Sequence, residues 1–181
     1  MSQAHIKGEA VMIDSTNKDK AFFLPDEDRD ALAVELSGLM GDLFVFTTKM
    51  YNFHWNVTGN TFQMLHAMFQ ANYEGSRDLL DDVAERVRAL GYSTPTTSSQ
   101  LVSLASLKEQ PGLLDWRAMV QETVADHEAS AKRMNSLTIL ADKLGDQATV
   151  DLLGAAALHE DKRAWLFRSI LLSGPQAAVS A

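Results

Sequence analysis

The sequence predicts an all-α protein: a four-helix bundle with a short extra helix in the long crossover between helices two and three. Three observations carry this expectation. Apolar residues recur at helical spacing along four long stretches. Glycine, or glycine followed by proline, stands where those stretches stop. No run alternates at the period of a strand, and no internal repeat or Gly-rich phosphate loop competes. At 181 residues and 46% hydrophobic, the chain suits a single compact core, with neither the length nor the composition shift that two domains need.

The elements follow in order. Residues 1–24 show no sustained period, mix Lys7, Lys18 and Lys20 with Glu9, Asp14 and Asp19, and read as an extended or mobile tail. The folded body is expected over residues 25–173. From Pro25 onward, Leu32, Leu36, Leu39, Leu43, Phe46, Met50 and Phe53 succeed one another at steps of 4, 3, 4, 3, 4 and 3. That spacing keeps one apolar stripe in line along a first helix of about eight turns. "VTGN" interrupts it. A second helix is expected from Thr61 to Leu90, carrying Phe62, Leu65, Phe69, Leu80, Val83 and Val87 before Gly91 ends it. "YSTPTTSS" reads as loop, and "QLVSLASL", closed by Pro111-Gly112, as a small helix inside the connection. A third helix from Leu114 to Leu144 carries Trp116, Val120, His127, Met134 and Leu137 and stops at Gly145. A fourth runs from Gln147 to Leu172 before Gly174-Pro175, leaving 174–181 as a C-terminal tail. Short links within the first and the last pair make each an antiparallel hairpin, and a crossover of about 23 residues joins the two hairpins.

Composition narrows the function. The absence of cysteine removes disulfides, thiolate zinc sites and thiol catalysis. The N-terminus lacks the charged start and apolar run of a signal peptide, and no stretch approaches ~18 uninterrupted apolar residues. A soluble cytoplasmic protein with no membrane partner is expected. With 16 basic against 24 acidic residues and a net charge of -8, the body should repel nucleic acid phosphates and attract cations.

"NFHWNVTGNTFQMLH" sets His54 and His66 at equal distances on either side of a Gly59-Asn60 turn, so an antiparallel hairpin brings the two imidazoles to one level. Further along the second helix, Asp81 and Glu85 lie one turn apart on one face, a spacing that lets two carboxylates share a cation. At ~1.5 Å rise per residue, His66 and Asp81 stand ~22 Å apart, whereas the ligands of one ion each lie ~2 Å from it. A two-fold axis crossing the second helix near its middle removes the difficulty, because it lays His66 of one copy beside Asp81 and Glu85 of another. The expected site is shared between subunits, two per dimer. Its two histidines and two carboxylates suit iron(II), manganese or zinc better than calcium or magnesium. Taken singly, these residues also have ordinary readings: His54 as a half-buried histidine capping carbonyls, and Asp81, Asp82 and Glu85 before Arg86 and Arg88 as a solvated face. His127-Glu128 and His159-Glu160 resemble a second metal motif, but His127 falls on an apolar stripe and reads as a hydrogen-bonded core or interface residue. No histidine has Glu three positions before it, so an intrachain di-iron centre built from Glu-x-x-His pairs is not expected.

"FHWNVTG", a histidine twelve residues after the first, "DDVAERVRALG" and the late "HEDKRAWLFRSIL" together resemble the Dps family of starvation-induced mini-ferritins, over residues 28–172. The resemblance implies a ferritin-like four-helix subunit, a hollow homododecamer built from two-fold dimers, and ferroxidase sites at the dimer interfaces, each taking two iron ions. Carried over by position, His54 and His66 would be catalytic metal ligands from one subunit, and Asp81 and Glu85 ligands from its partner. Gln70 departs from the family, which usually has an acidic residue there. A weaker second iron position is implied, with Glu74, one turn further on, as a substitute ligand. Family members oxidise iron(II), often preferring hydrogen peroxide to dioxygen, and deposit ferric mineral in the cavity, which limits oxidative damage. The alternative is a Dps-like shell with ferroxidase activity impaired by Gln70, acting as a metal-sequestering or nucleoid-associated structural protein. Trp55 would pack over the site or anchor the dimer, and Asp146 and Asp151 would line acidic pores or complement a helix N-terminus. DNA binding is expected to be absent or weak: Lys7, Lys18 and Lys20 face Glu9, Asp14, Asp19, Asp26, Glu27 and Asp28, and "SGPQAAVSA" carries no charged side chain.

Overall fold

A computed structural model describes residues 23–172, which form α1 (Asp26–Asn56), α2 (Phe62–Ala89), α3 (Ser98–Leu104), α4 (Trp116–Leu144) and α5 (Gln147–Leu171). Four long helices and one short crossover helix are the predicted architecture, and no β-strand occurs among the described residues. The lysine-bearing part of the N-terminal tail and the C-terminal tail fall outside the described residues. Leu24, assigned by sequence to the tail, is instead buried in the core against α1 and its neighbours, because an apolar side chain beside Pro25 packs where a polar one would not.

α1 and α2 pack as one hairpin and α4 and α5 as another, with α3 lying across α1. Each hairpin end has a local cause. Gly59 takes φ +100 in the α1–α2 turn, where a side chain would be strained. Gly91, at φ +95, ends α2 with Gly91 N–H on the Arg88 carbonyl and Tyr92 N–H on the Val87 carbonyl, the paired C-terminal bonds that a left-handed residue makes possible. Gly145 repeats the device on α4, and the next residue, Asp146, already caps α5 by accepting from Thr149 N–H.

α1 departs from the single-stripe expectation. Every residue from Leu36 to Leu43 is buried, since α2, α3 and α4 all contact this helix. One 18-residue window of α1 has a mean hydropathy of 1.4, long and apolar enough by composition to cross a membrane, yet 72% of it is buried by the fold. Its apolarity is that of a central core helix.

The core has two apolar halves. One gathers Leu32, Leu36, Leu43, Val83, Met134 and Leu153; the other gathers Phe46, Met50, Phe53, Phe69, Met119 and Phe167. Between them runs a belt of buried polar groups. Thr47 donates to Ser76, whose own hydroxyl bonds the Leu43 carbonyl. Lys49 pairs with Asp126 at 2.7 Å, and His127 bonds Glu160 at 2.6 Å. Buried charges persist in pairs because each alone would be costly to desolvate.

Candidate metal centre

His54 occupies the last turn of α1 and His66 the second turn of α2, and the short turn between them brings the rings into a stack 3.7 Å apart and 20° from parallel. Nδ1 of His54 lies 2.8 Å from the His66 carbonyl, and Nδ1 of His66 lies 2.8 Å from the His54 carbonyl. A carbonyl oxygen only accepts, so each Nδ1 carries the hydrogen and donates it. In its neutral form each ring thereby keeps its lone pair on Nε2, the tautomer a metal-binding imidazole needs, fixed by backbone of the opposite helix. His54 is 8% exposed, so its ring is held in place by packing as well as by hydrogen bonding.

The surroundings are aromatic. Tyr73 stands edge-on to His54 at 5.3 Å, Tyr51 packs on Tyr73 at 4.4 Å, and Phe62 lies 5.0 Å from His66. Sequence reading missed the two tyrosines, although Tyr51 is three residues before His54 and Tyr73 seven after His66, spacings that place each on its histidine's helical face. Within the chain Trp55 stacks on Tyr51 at 5.4 Å and not on the imidazoles, and it is 69% exposed.

Asp81 and Glu85 lie on α2 with both side chains exposed, and the helix continues unbroken from His66 past them. The ~22 Å separation therefore stands. Among the described residues no group of three or more His, Asp or Glu converges within one chain. Two imidazoles meet, two carboxylates share a face, and the chain alone does not join the pairs. Gln70 and Glu74 occupy the same face of α2, one and two turns after His66, and Gln70 Nε2–H donates to Glu74 Oε1 at 2.9 Å.

The other candidates resolve differently. The dyads His127-Glu128 and His159-Glu160 do not act as sequence neighbours: His127 and Glu160 turn inward and pair, while Glu128 bonds Arg168 and His159 is exposed. Arg163 adds a bond to Glu160 at 3.1 Å. This pair and the Lys49–Asp126 pair are buried together in the polar belt of the bundle. Asp146, considered as a pore residue, is 5% exposed and committed to Arg86 at 2.7 Å and to Thr149. Burial opposes its charge, but Arg86 and Thr149 outweigh burial and hold its carboxyl below the usual range. Asp151 is exposed and accepts from Gln147 at 2.7 Å.

Residues 34–176 match the ferritin-like domain family. The "DNA protection during starvation protein" of Helicobacter pylori is 31% identical over 137 residues, which are 75% of this chain and 95% of that protein. Among solved structures, a Dps protein from Bacillus brevis superposes with a TM-score of 0.79 at 30% identity, over 82% of this chain and 99% of that one. A DPS protein from Vibrio cholerae, described as a member of a broad superfamily of ferritin-like diiron-carboxylate proteins, gives 0.80 at 26% identity, over 87% and 98%.

Proposed function

This chain belongs to the Dps family of ferritin-like proteins, and on that premise we propose that it oxidises iron(II) at sites shared between two-fold-related subunits and stores the ferric product inside a closed shell. The observation that carries the reading is the reciprocal bonding of His54 and His66. It presents two Nε2 lone pairs together at one end of α2, while Asp81 and Glu85 wait one α2 half-length away for the histidines of a second copy. Each assembled site would hold two iron(II) ions as substrate, between the imidazoles of one subunit and the carboxylates of its partner. Imidazoles fix position; carboxylates lower the net charge and favour iron(III) over iron(II). Two iron(II) ions give one electron each to one hydrogen peroxide, whose O–O bond breaks, and two protons complete two waters. Adjacent irons thus match a two-electron oxidant, and no hydroxyl radical leaves the site. A cytoplasmic dodecamer that withdraws iron and peroxide together is the biological setting we infer.

Stopped-flow oxidation of anaerobically loaded iron(II), with peroxide and with dioxygen in parallel, tests this. Rapid peroxide-dependent oxidation is expected in the native protein and should fall by about a hundredfold or more in the double variant His54→Ala, His66→Ala. Oxidation no faster than free iron in both proteins would defeat it. One observation favours the second reading, a shell with impaired oxidation that mainly sequesters metal: the neutral Gln70 amide, already bonded to Glu74, stands where a carboxylate would serve iron(III) better. A large gain in rate for Gln70→Asp would support that reading, and no gain would leave the enzyme reading in place.

A further inference from the structure

Under the proposed shared site, on which this inference rests, α2 carries more than metal ligands on the side that meets the second copy. His66, Gln70, Glu74, Arg77, Asp81 and Glu85 follow one another at steps of 4, 4, 3, 4 and 4, so all six lie on one face of the helix, within about 100° of arc. A two-fold axis that sets His66 between Asp81 and Glu85 of another copy crosses α2 between Glu74 and Gly75. The centre of that contact is charged. The two Glu74 carboxylates come within about 1.5 Å of one level there, on opposite sides of the axis, and like charges so placed oppose pairing. Arg77 of each copy falls about 3 Å along the helix from Glu74 of the other, the same offset that His66 has from each carboxylate.

Within one chain both groups keep capacity for a partner. Arg77 reaches Asp78 only at 3.7 Å, with both side chains more than half exposed, a pair worth little in water. Glu74 is half-buried and accepts from Gln70 Nε2–H through Oε1, which steadies the carboxylate and leaves Oε2 for a further donor. We propose that Glu74 and Arg77 form two reciprocal ion pairs with a second copy of this chain across the two-fold axis, and that these pairs fix the register in which the metal ligands meet. Guanidinium and carboxylate then neutralise the centre of the seam as contact withdraws it from water.

Opposite charge reversals test the pairing. Arg77→Glu leaves only carboxylates at the axis and Glu74→Arg only guanidiniums, so each variant alone should assemble about tenfold or more weakly than native protein, read by sedimentation and native mass spectrometry. Co-expressed with distinguishable tags, the two variants should recover native-like assembly and favour mixed over like dimers by about ten to one, because each reversal complements the other only across the axis. An ion pair confined to one chain predicts no recovery on mixing. Native-like assembly of either reversal alone, or mixtures no better than their parents, would overturn the pairing. The shared site is judged separately, by iron(II) oxidation in mixed assemblies of histidine and carboxylate variants.

Discussion

Glu160 is 4% exposed, and its carboxylate is tolerated there because His127 bonds it at 2.6 Å and Arg163 at 3.1 Å. Replacing it by alanine strands the fully buried His127 ring, while Arg163, a quarter exposed, can turn to water, so Glu160→Ala should lose about 3 kcal/mol of stability in urea unfolding, with Glu160→Gln, which still accepts, losing clearly less. Equal losses would contradict the pairing. Sequence reading placed His127 correctly in the core but grouped each histidine with its neighbouring glutamate. The needed signal was present, since Leu153, Glu160 and Phe167 lie seven residues apart on α5, as Val120, His127 and Met134 do on α4; that phase turns both polar residues inward together. The level of His54 and His66 was also legible, because equal spacing about a turn dictates it. Their crossed bonds to each other's carbonyls were not, since spacing fixes height along a hairpin and leaves ring tilt open.

At the scale of the elements, α3 docks directly on Gly41 of α1. A methyl group added at Gly41 would lie 2.5 Å from the Leu101 carbonyl oxygen and 2.8 Å from the Ala105 nitrogen, backbone atoms that cannot swing aside. Asp42, next to it, accepts from Ser106 N–H at 2.5 Å and Leu107 N–H at 2.9 Å, which ties down the chain after α3. Gly41→Ala should therefore cost about 1–3 kcal/mol and raise hydrogen exchange in α3 while sparing α5; unchanged α3 protection would contradict this docking. The α4–α5 corner makes a pH prediction. Asp146 titrates below its ordinary value of 3.8 in the folded chain, so its contribution is complete above that pH. As pH falls toward the folded value the unfolded chain takes the proton first and the contribution is lost. The stability gap between native protein and Asp146→Asn should stay constant near neutrality and shrink below about pH 4; a gap independent of pH would exclude the pairing with Arg86. The four long helices were legible to within a residue or two because glycine and apolar period agree at their ends. α3 was expected over 100–107 and runs Ser98–Leu104, because Thr97 and Gln100 form a reciprocal capping box that outweighs the apolar run in setting the start.

The whole molecule carries a net charge of -8, and a single chain leaves Trp55, Ile139, Leu158 and Trp165 more than half exposed. That negative body predicts no mobility shift of duplex DNA that persists from ~50 mM to ~200 mM salt, and a persistent shift would contradict it. The subunit architecture was readable from one sequence because local signals agree throughout its length. The proposed two-fold sharing of the site rests on the ~22 Å of straight helix that separates His66 from Asp81, and one chain does not test it. Mixed assembly does. Subunits carrying His54→Ala with His66→Ala are co-assembled in equal amounts with subunits carrying Asp81→Ala with Glu85→Ala, and peroxide-dependent iron(II) oxidation is measured against each parent alone. A site shared between subunits predicts two inactive parents and recovery of about a quarter of native activity in the mixture, since half of random dimers then contain one intact site of two. Mixed assemblies as inactive as their parents would contradict the shared site.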